Sequence, residues 1–172
     1  WIAKYPGAIG NSLKVEVFGF KTDTSTTLTN FDSWTYSNRF TGPVGTSSYS
    51  NARGSSNDEI HVVVIDEDGL ISGTPGTVLE VYPFLSQASD AKTEVGASNY
   101  YKTVINDNSS YIWFGATDTS NFPQAGNAAT GTLDYAVTPS NGVVSTALTA
   151  GVDSAALTAS EFDTGYALFT DS

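Results

Sequence analysis

The residues of this chain that could do chemistry are concentrated between His61 and Phe84, HVVVIDEDGLISGTPGTVLEVYPF. His61 is the only histidine and could supply a general base. A triad base needs a serine and an aspartate placed beside it by the fold, and no serine stands in a G-x-S-x-G nucleophile elbow. Because His61 also lies in an apolar run, we interpret it as a structural histidine of a strand. We therefore predict no catalytic residue and no enzyme activity.

The acidic run Asp66-Glu67-Asp68-Gly69 could gather oxygen ligands around a cation. Calcium takes about 6–8 oxygen ligands, and the downstream glutamate that completes an EF-hand loop is missing at its position. Asp68-Gly69, in contrast, is typical of a tight hairpin turn. We therefore predict a turn at this place, with neither a metal site nor a cofactor.

Two further motifs have structural interpretations. Gly73-Thr74-Pro75-Gly76 indicates a turn and not a phosphate-binding loop, because the Lys-Ser/Thr pair of a Walker motif does not follow it. Asn108-Ser109-Ser110 matches the N-glycosylation sequon, but this tripeptide is common by chance and has a meaning only in a secreted protein.

Five aromatic residues in polar, loop-like sequence could form a sugar-binding face: Trp34, Tyr36, Tyr49, Trp113 and Phe122. The other interpretation places Trp113 in the core and lets the remaining four anchor long loops, which need apolar anchors to stay ordered. We favour the second interpretation. The first keeps open an alternative function, an extracellular β-domain that binds carbohydrate through its loop aromatics.

Composition excludes several classes of protein. The 172 residues include no cysteine, so disulfides and thiolate metal sites are excluded. A formal net charge of −11 disfavours direct contact with nucleic-acid phosphates. No apolar run approaches about 18 residues, so we expect no membrane insertion. The chain lacks methionine even at its first position, and we expect residues 1–172 to be one fragment of a larger protein.

Strands must position the His61 region. Apolar and polar residues alternate over 13–17, which predicts a half-exposed strand. The run 60–66 is apolar on both faces and predicts a strand covered on both sides. We expect residues 70–71 to begin the returning strand. Residues 77–86 predict another strand, because Pro83 would break a helix there.

Helical spacing is rarer. Tyr101, Val104 and Ile105 share one helix face, with Ser98 or Asn99 as a possible cap. Near residue 172, Thr158 and Glu161 form a capping box. An apolar stripe follows it, made of Phe162, Tyr166 and Phe169, and predicts a terminal helix.

The three remaining segments are predicted to be a loop, a strand and an insertion. Residues 31–59 predict an extended surface loop with one short strand near Trp34–Tyr36, residues 111–114 predict a strand, and residues 116–147 predict an exposed insertion. The chain as a whole is expected to be α+β and β-rich. We expect antiparallel sheets, sandwich or barrel-like, with two or three short helices and long surface loops.

Four stretches taken in order resemble the contractile-tail sheath proteins of T-even-type bacteriophages. The order is a YPG…GN-x-L strand, a DEDG hairpin followed by G-T-P-G, an NYY segment, and a Gly-containing stretch before T-A-S-E-F. The resemblance covers residues 4–20, 58–115 and 148–172. Residues 21–57 and 116–147 carry no pattern that we can assign.

The resemblance implies a structural virion protein of the phage tail. Sheath subunits have an inner core domain whose arms link them into hexameric rings stacked on the tail tube, and outer domains that face solvent. Contraction moves the subunits between two packings and drives the tube through the host envelope for DNA delivery. This chain would then be an outer, surface-exposed fragment, monomeric alone, with residues 151–172 returning toward a core domain. Its partners would be other sheath subunits.

Overall fold

The computed structural model describes residues 1–21, 23–116, 119–124 and 126–155. Within them lie three short 3-10 turns, at Ala8–Ser12, Ser37–Arg39 and Ala128–Thr130. The remaining elements, in chain order, are β1 (Ile2–Ala3), β2 (Leu13–Gly19), α1 (Thr24–Ser33), α2 (Ser48–Asn51), β3 (Glu59–Asp66), β4 (Thr77–Ser86), α3 (Tyr101–Asn108), β5 (Ile112–Trp113) and β6 (Val143–Ala147).

The predicted fold class is confirmed: the chain is α+β, and its described residues form two antiparallel sheets. The larger sheet has four strands in the order β4-β3-β2-β6, and the smaller one pairs β1 with β5. Every neighbouring pair is antiparallel. The central pair, β2 and β3, therefore has its backbone groups satisfied on both sides and carries the core.

Both faces of the large sheet are covered, as the apolar run 60–66 predicts. One face contributes alternate residues of β2 and β3 to a cluster with α3 and β5, which includes Val15 and Val62. The opposite face packs Phe18 and Val63 against α1 and Trp34. The sheet is thus the middle layer of three, and the alternation of β2 decides which side chain enters which layer.

The strand predicted at residues 77–86 is confirmed, and Pro83 lies where a strand tolerates it. The register shifts between the pairs Ile60↔Leu85 and Val62↔Tyr82, so that a bulge forms opposite His61. Proline has no N–H to give to a ladder, and β4 is an edge strand with a bulge at this point.

The expected start of the returning strand at residues 70–71 is wrong. β4 begins only at Thr77, and a longer connection replaces the tight hairpin. The reason is the buried Asp66, whose carboxylate accepts hydrogen bonds from the amides of Ile71 and Ser72 and so holds this stretch in a turn.

The short strand predicted near Trp34–Tyr36 is also wrong. Trp34 ends α1, and a 3-10 turn follows. Asp23 caps α1 by accepting a hydrogen bond from the Thr26 amide at 2.9 Å. The helix is rich in threonine and has little intrinsic helix preference, so its packing of Phe31 against the sheet holds it in place.

The interpretation of residues 116–147 as an exposed insertion is wrong. Phe122, Tyr135 and Val137 are buried, and the last five residues of the segment form β6 beside β2. Its apolar residues are few, yet the fold brings each of these three onto a core cluster. The helix predicted over 158–169 lies outside the described residues.

The helix predicted around Tyr101 is confirmed as α3, although its cap is not. The residue before the helix is Tyr100, whose side chain makes no capping hydrogen bond, so neither Ser98 nor Asn99 has the predicted role. The strand predicted at 111–114 is confirmed in its centre, where β5 pairs with β1.

Candidate functional site

His61 is a core residue, as the sequence predicts. Its side chain is 0% exposed, and its ring stacks on Phe40 with 4.0 Å between centroids. The Phe84 amide donates to Nδ1 at 3.2 Å, so the ring proton lies on Nε2, which donates to the Gly42 carbonyl at 2.9 Å. Backbone groups bind both ring nitrogens, and neither nitrogen reaches a serine or a carboxylate of the described residues.

Burial lowers the pKa of His61 to about 4, although the hydrogen bond to the Gly42 carbonyl opposes this shift. The neutral ring is the form that the site accepts, because protonation would place a second N–H donor against the Phe84 amide. A histidine held neutral between two backbone groups works as a structural link between β3, the bulge of β4 and the loop at Gly42.

Acidification is expected to destabilise the protein through His61. The unfolded chain takes up the proton near pH 6.5 and the folded chain only near pH 4. The contribution is therefore complete above pH 6.5 and is lost as the pH falls toward 4, by roughly 3 kcal/mol at about 1.4 kcal/mol per pKa unit. Urea unfolding between pH 7 and pH 4.5 measures it. A His61→Gln control should lose less stability over that range, and equal losses in the two proteins would contradict the assignment.

Asp66 forms the centre of the predicted acidic turn. It is fully buried, and its two carboxylate oxygens accept four hydrogen bonds, from the Ser12 hydroxyl at 2.5 Å, the Ile71 amide at 3.0 Å, and the Ser72 amide and hydroxyl at 2.6 and 2.7 Å. Burial alone would raise the pKa of Asp66, but the bonds from Ser12, Ser72 and Ile71 outweigh it and lower the pKa to about 2. Protein donors thus occupy the oxygens that a cation would need.

Other acidic side chains have the same role in further loops. Asp58 is 0% exposed and accepts from the amide and hydroxyl of Ser47 at 2.9 and 2.8 Å and from the Ser86 hydroxyl. Asp90 accepts from two amides at the start of the turn Ala128–Thr130, at 2.7 and 3.1 Å. No sequence pattern predicted these anchors, because each donor is distant from its acceptor along the chain.

The described residues contain no group of three His, Asp or Glu side chains placed to hold a metal ion. Asn108 of the sequon ends α3 and donates its side-chain amide to the Val104 carbonyl at 2.8 Å. Neither the acidic turn nor the sequon is part of a metal-binding or reactive cluster among the described residues.

The five loop aromatics do not share one environment. Trp34 and Phe122 are buried, at 6% and 8% exposure, while Trp113 is 47% exposed. The placement of Trp113 in the core is therefore wrong. In the two-residue strand β5, Ile112 faces the core and the next residue must face outward, where Lys4 lies over the indole ring at 5.3 Å.

A groove of about 510 Å³ runs between the N-terminal segment and the end of β6. None of the described side chains that line it is charged, although the chain carries 25 charged residues, 7 basic and 18 acidic. A smaller cavity of about 140 Å³ shares Trp1 and Thr146 with it and is lined by Tyr101, Phe114 and Phe122. The sequence did not predict this groove, because its two walls lie about 140 residues apart in the chain.

Comparison with protein-family models, with curated proteins and with solved structures found no match. None of the described helices is both long and apolar enough to cross a bilayer.

Proposed function

We propose that this chain is a surface-exposed part of a phage contractile tail sheath, with a structural and not a catalytic role. The proposal is supported by the four sequence stretches that resemble sheath proteins, and by where the described ones lie in the fold. The stretches at 4–20 and 58–115 supply β2, β3, β4 and α3.

The observation that carries the proposal is that these separate stretches pack as one unit. β2 pairs with β3 along seven residues, β3 pairs with β4, and α3 covers the face that they share. One packed unit is what an outer domain of a sheath subunit requires of these stretches. Phe31, Trp34 and Val44, which lie in the part of the chain that resembles nothing we can assign, cover the opposite face.

The chemistry of the described residues is consistent with a mechanical part. The single histidine is buried and bound by backbone groups, and the buried carboxylates of Asp58 and Asp66 bind loop donors. Such anchors stiffen the loops. A rigid subunit suits a polymer whose work comes from exchanging one packing for another.

The alternative function, carbohydrate binding through loop aromatics, has less support. A sugar-binding face needs several exposed rings on one surface. Trp34 stacks between Phe18 and Phe40, at 5.3 Å from each ring, and is not available to a ligand.

Immunogold labelling tests the proposal. Antibodies raised against the 172-residue chain are applied to virions of a contractile-tailed phage whose genome encodes this sequence, before and after contraction. We expect gold along the whole length of the tail in both states. Labelling confined to the head, the fibres or the baseplate would contradict the proposal, and saturable binding of the chain on a glycan array would favour the alternative.

A further inference from the structure

The outer edge of β6 presents backbone groups for pairing. Among the described residues β6 pairs with β2 alone, and it ends the order of the sheet. Leu148, just after β6, donates its N–H to the first residue of β2. Bonded and non-bonded pairs alternate along an antiparallel ladder, so Val144 and Thr146 also bond to β2. The N–H and C=O groups of Ser145 and Ala147 therefore point away from the sheet.

The residues of β6 include no lysine and no proline, and its pairing with β2 has no bulge. Natural edge strands commonly have a lysine, a proline or a bulge. β6 reads Val-Val-Ser-Thr-Ala, and both Ser145 and Ala147 are exposed. Beside it lies the uncharged groove of about 510 Å³, to which Ile2 and Tyr5 contribute apolar side chains that are 54% and 41% exposed.

We propose that this edge and its groove bind an extended segment of another polypeptide, which adds a fifth strand to the sheet. The uncharged lining requires uncharged residues where the segment pairs, and a strand favours β-branched ones. The net charge of −11 attracts a segment whose pairing residues are flanked by lysine or arginine. The inference stands on the geometry of β6 and is independent of the tail-sheath assignment.

A fluorescent, end-blocked peptide Lys-Val-Thr-Val-Thr-Val-Lys is the probe, titrated into the full 172-residue chain at low salt. We expect saturable binding, with slower hydrogen exchange at the Ser145 and Ala147 amides. A peptide with glutamate in place of both lysines should bind about tenfold more weakly, because the field of the protein repels it. A peptide with proline at the central position should lose binding, since it lacks a ladder N–H.

Variants of Ala147 place the binding at this edge. Ala147→Pro removes an outward N–H without breaking a bond to β2, and we expect about tenfold weaker binding, while Ala147→Val should bind like the native chain. Ala147→Lys adds a guarding charge without restricting the backbone and should also weaken binding, which covers the case that the proline variant does not fold.

Three results would overturn the proposal. One is no binding of the lysine-flanked peptide, and another is undiminished binding by both Ala147→Pro and Ala147→Lys. The third is protection of the Ser145 and Ala147 amides in the protein without peptide. Protection that grows with protein concentration would assign the edge to a second copy, and protection independent of concentration would assign it to other residues of the same chain.

Discussion

A Trp34→Ala substitution is expected to lower the free energy of unfolding by about 3–5 kcal/mol, the range for removing a large buried aromatic side chain. Trp34 is only 6% exposed and stacks on Phe18 and Phe40, with 5.3 Å between ring centroids in each case. Its Nε1 donates to the Glu16 carboxylate at 2.9 Å, so the substitution also leaves that acceptor without its indole donor. Urea unfolding followed by circular dichroism measures the loss.

Trp113→Ala is the matched control, because it removes the same atoms from a side chain that is 47% exposed. We expect a loss of no more than about 1 kcal/mol, since little packing is removed. Equal losses in the two variants would contradict the packing described for α1 and β5. The pair also separates the two interpretations of the loop aromatics, because a sugar-binding Trp34 would change affinity for a glycan while leaving stability nearly unchanged.

Asp66→Ala is expected to cost about 3–4 kcal/mol of unfolding free energy. The substitution removes the acceptor of four hydrogen bonds and leaves donors of Ser12, Ile71 and Ser72 without their partner. Each buried donor left unpaired costs about 1–3 kcal/mol, and water entering the loop recovers part of the sum. Chemical denaturation at pH 7 measures the loss, and limited proteolysis should show earlier cleavage within residues 67–76.

The control lies two residues further along the same turn. Asp68 is exposed, so Asp68→Ala should change stability by less than about 0.5 kcal/mol. Ser12→Ala should fall between the two, because its hydroxyl donates to Asp66 and accepts the amides of Asp68 and Leu70 at 3.2 and 3.3 Å. A large effect of Asp68→Ala, or none of Asp66→Ala, would mean that the acidic turn has a function other than holding its own shape.

The proposed function needs a rigid subunit, and buried carboxylates make the loops of this protein rigid. Three buried or partly buried aspartates hold polar loops in place. Asp58 binds the loop at Ser47, Asp66 binds the turn at Ile71, and Asp90 binds the turn at Ala128. Some of the acidic residues, which the composition alone would place on a solvated surface, therefore order the loops instead. The remaining exposed carboxylates repel other acidic molecules.

The positions of the main strands along the chain could be predicted because the pattern is local. The apolar run 60–66, the alternation over 13–17 and the helical spacing around Tyr101 each express their environment in adjacent residues, and all three elements are confirmed. The predicted half-exposure of the strand at 13–17 is wrong, because no residue of β2 is exposed in the middle layer. The structural role of His61 was also predictable, since it lies inside a run that must be buried. Local patterns of this kind need no knowledge of the partner that buries them.

The errors have one physical origin, which is contact between residues far apart in the chain. α1 has weak helix preference and is held by Phe31 on the sheet; β6 is a strand because β2 lies beside it; and Trp113 is exposed because β1 sets the pairing of β5. The groove likewise exists only after residues 1–7 meet residues 146–151. Local sequence patterns were enough to predict the antiparallel core and its buried histidine. Only the folded chain shows which loops are anchored, which tryptophan is exposed and which strand edge has no partner among the described residues, because each depends on a contact that no local pattern encodes.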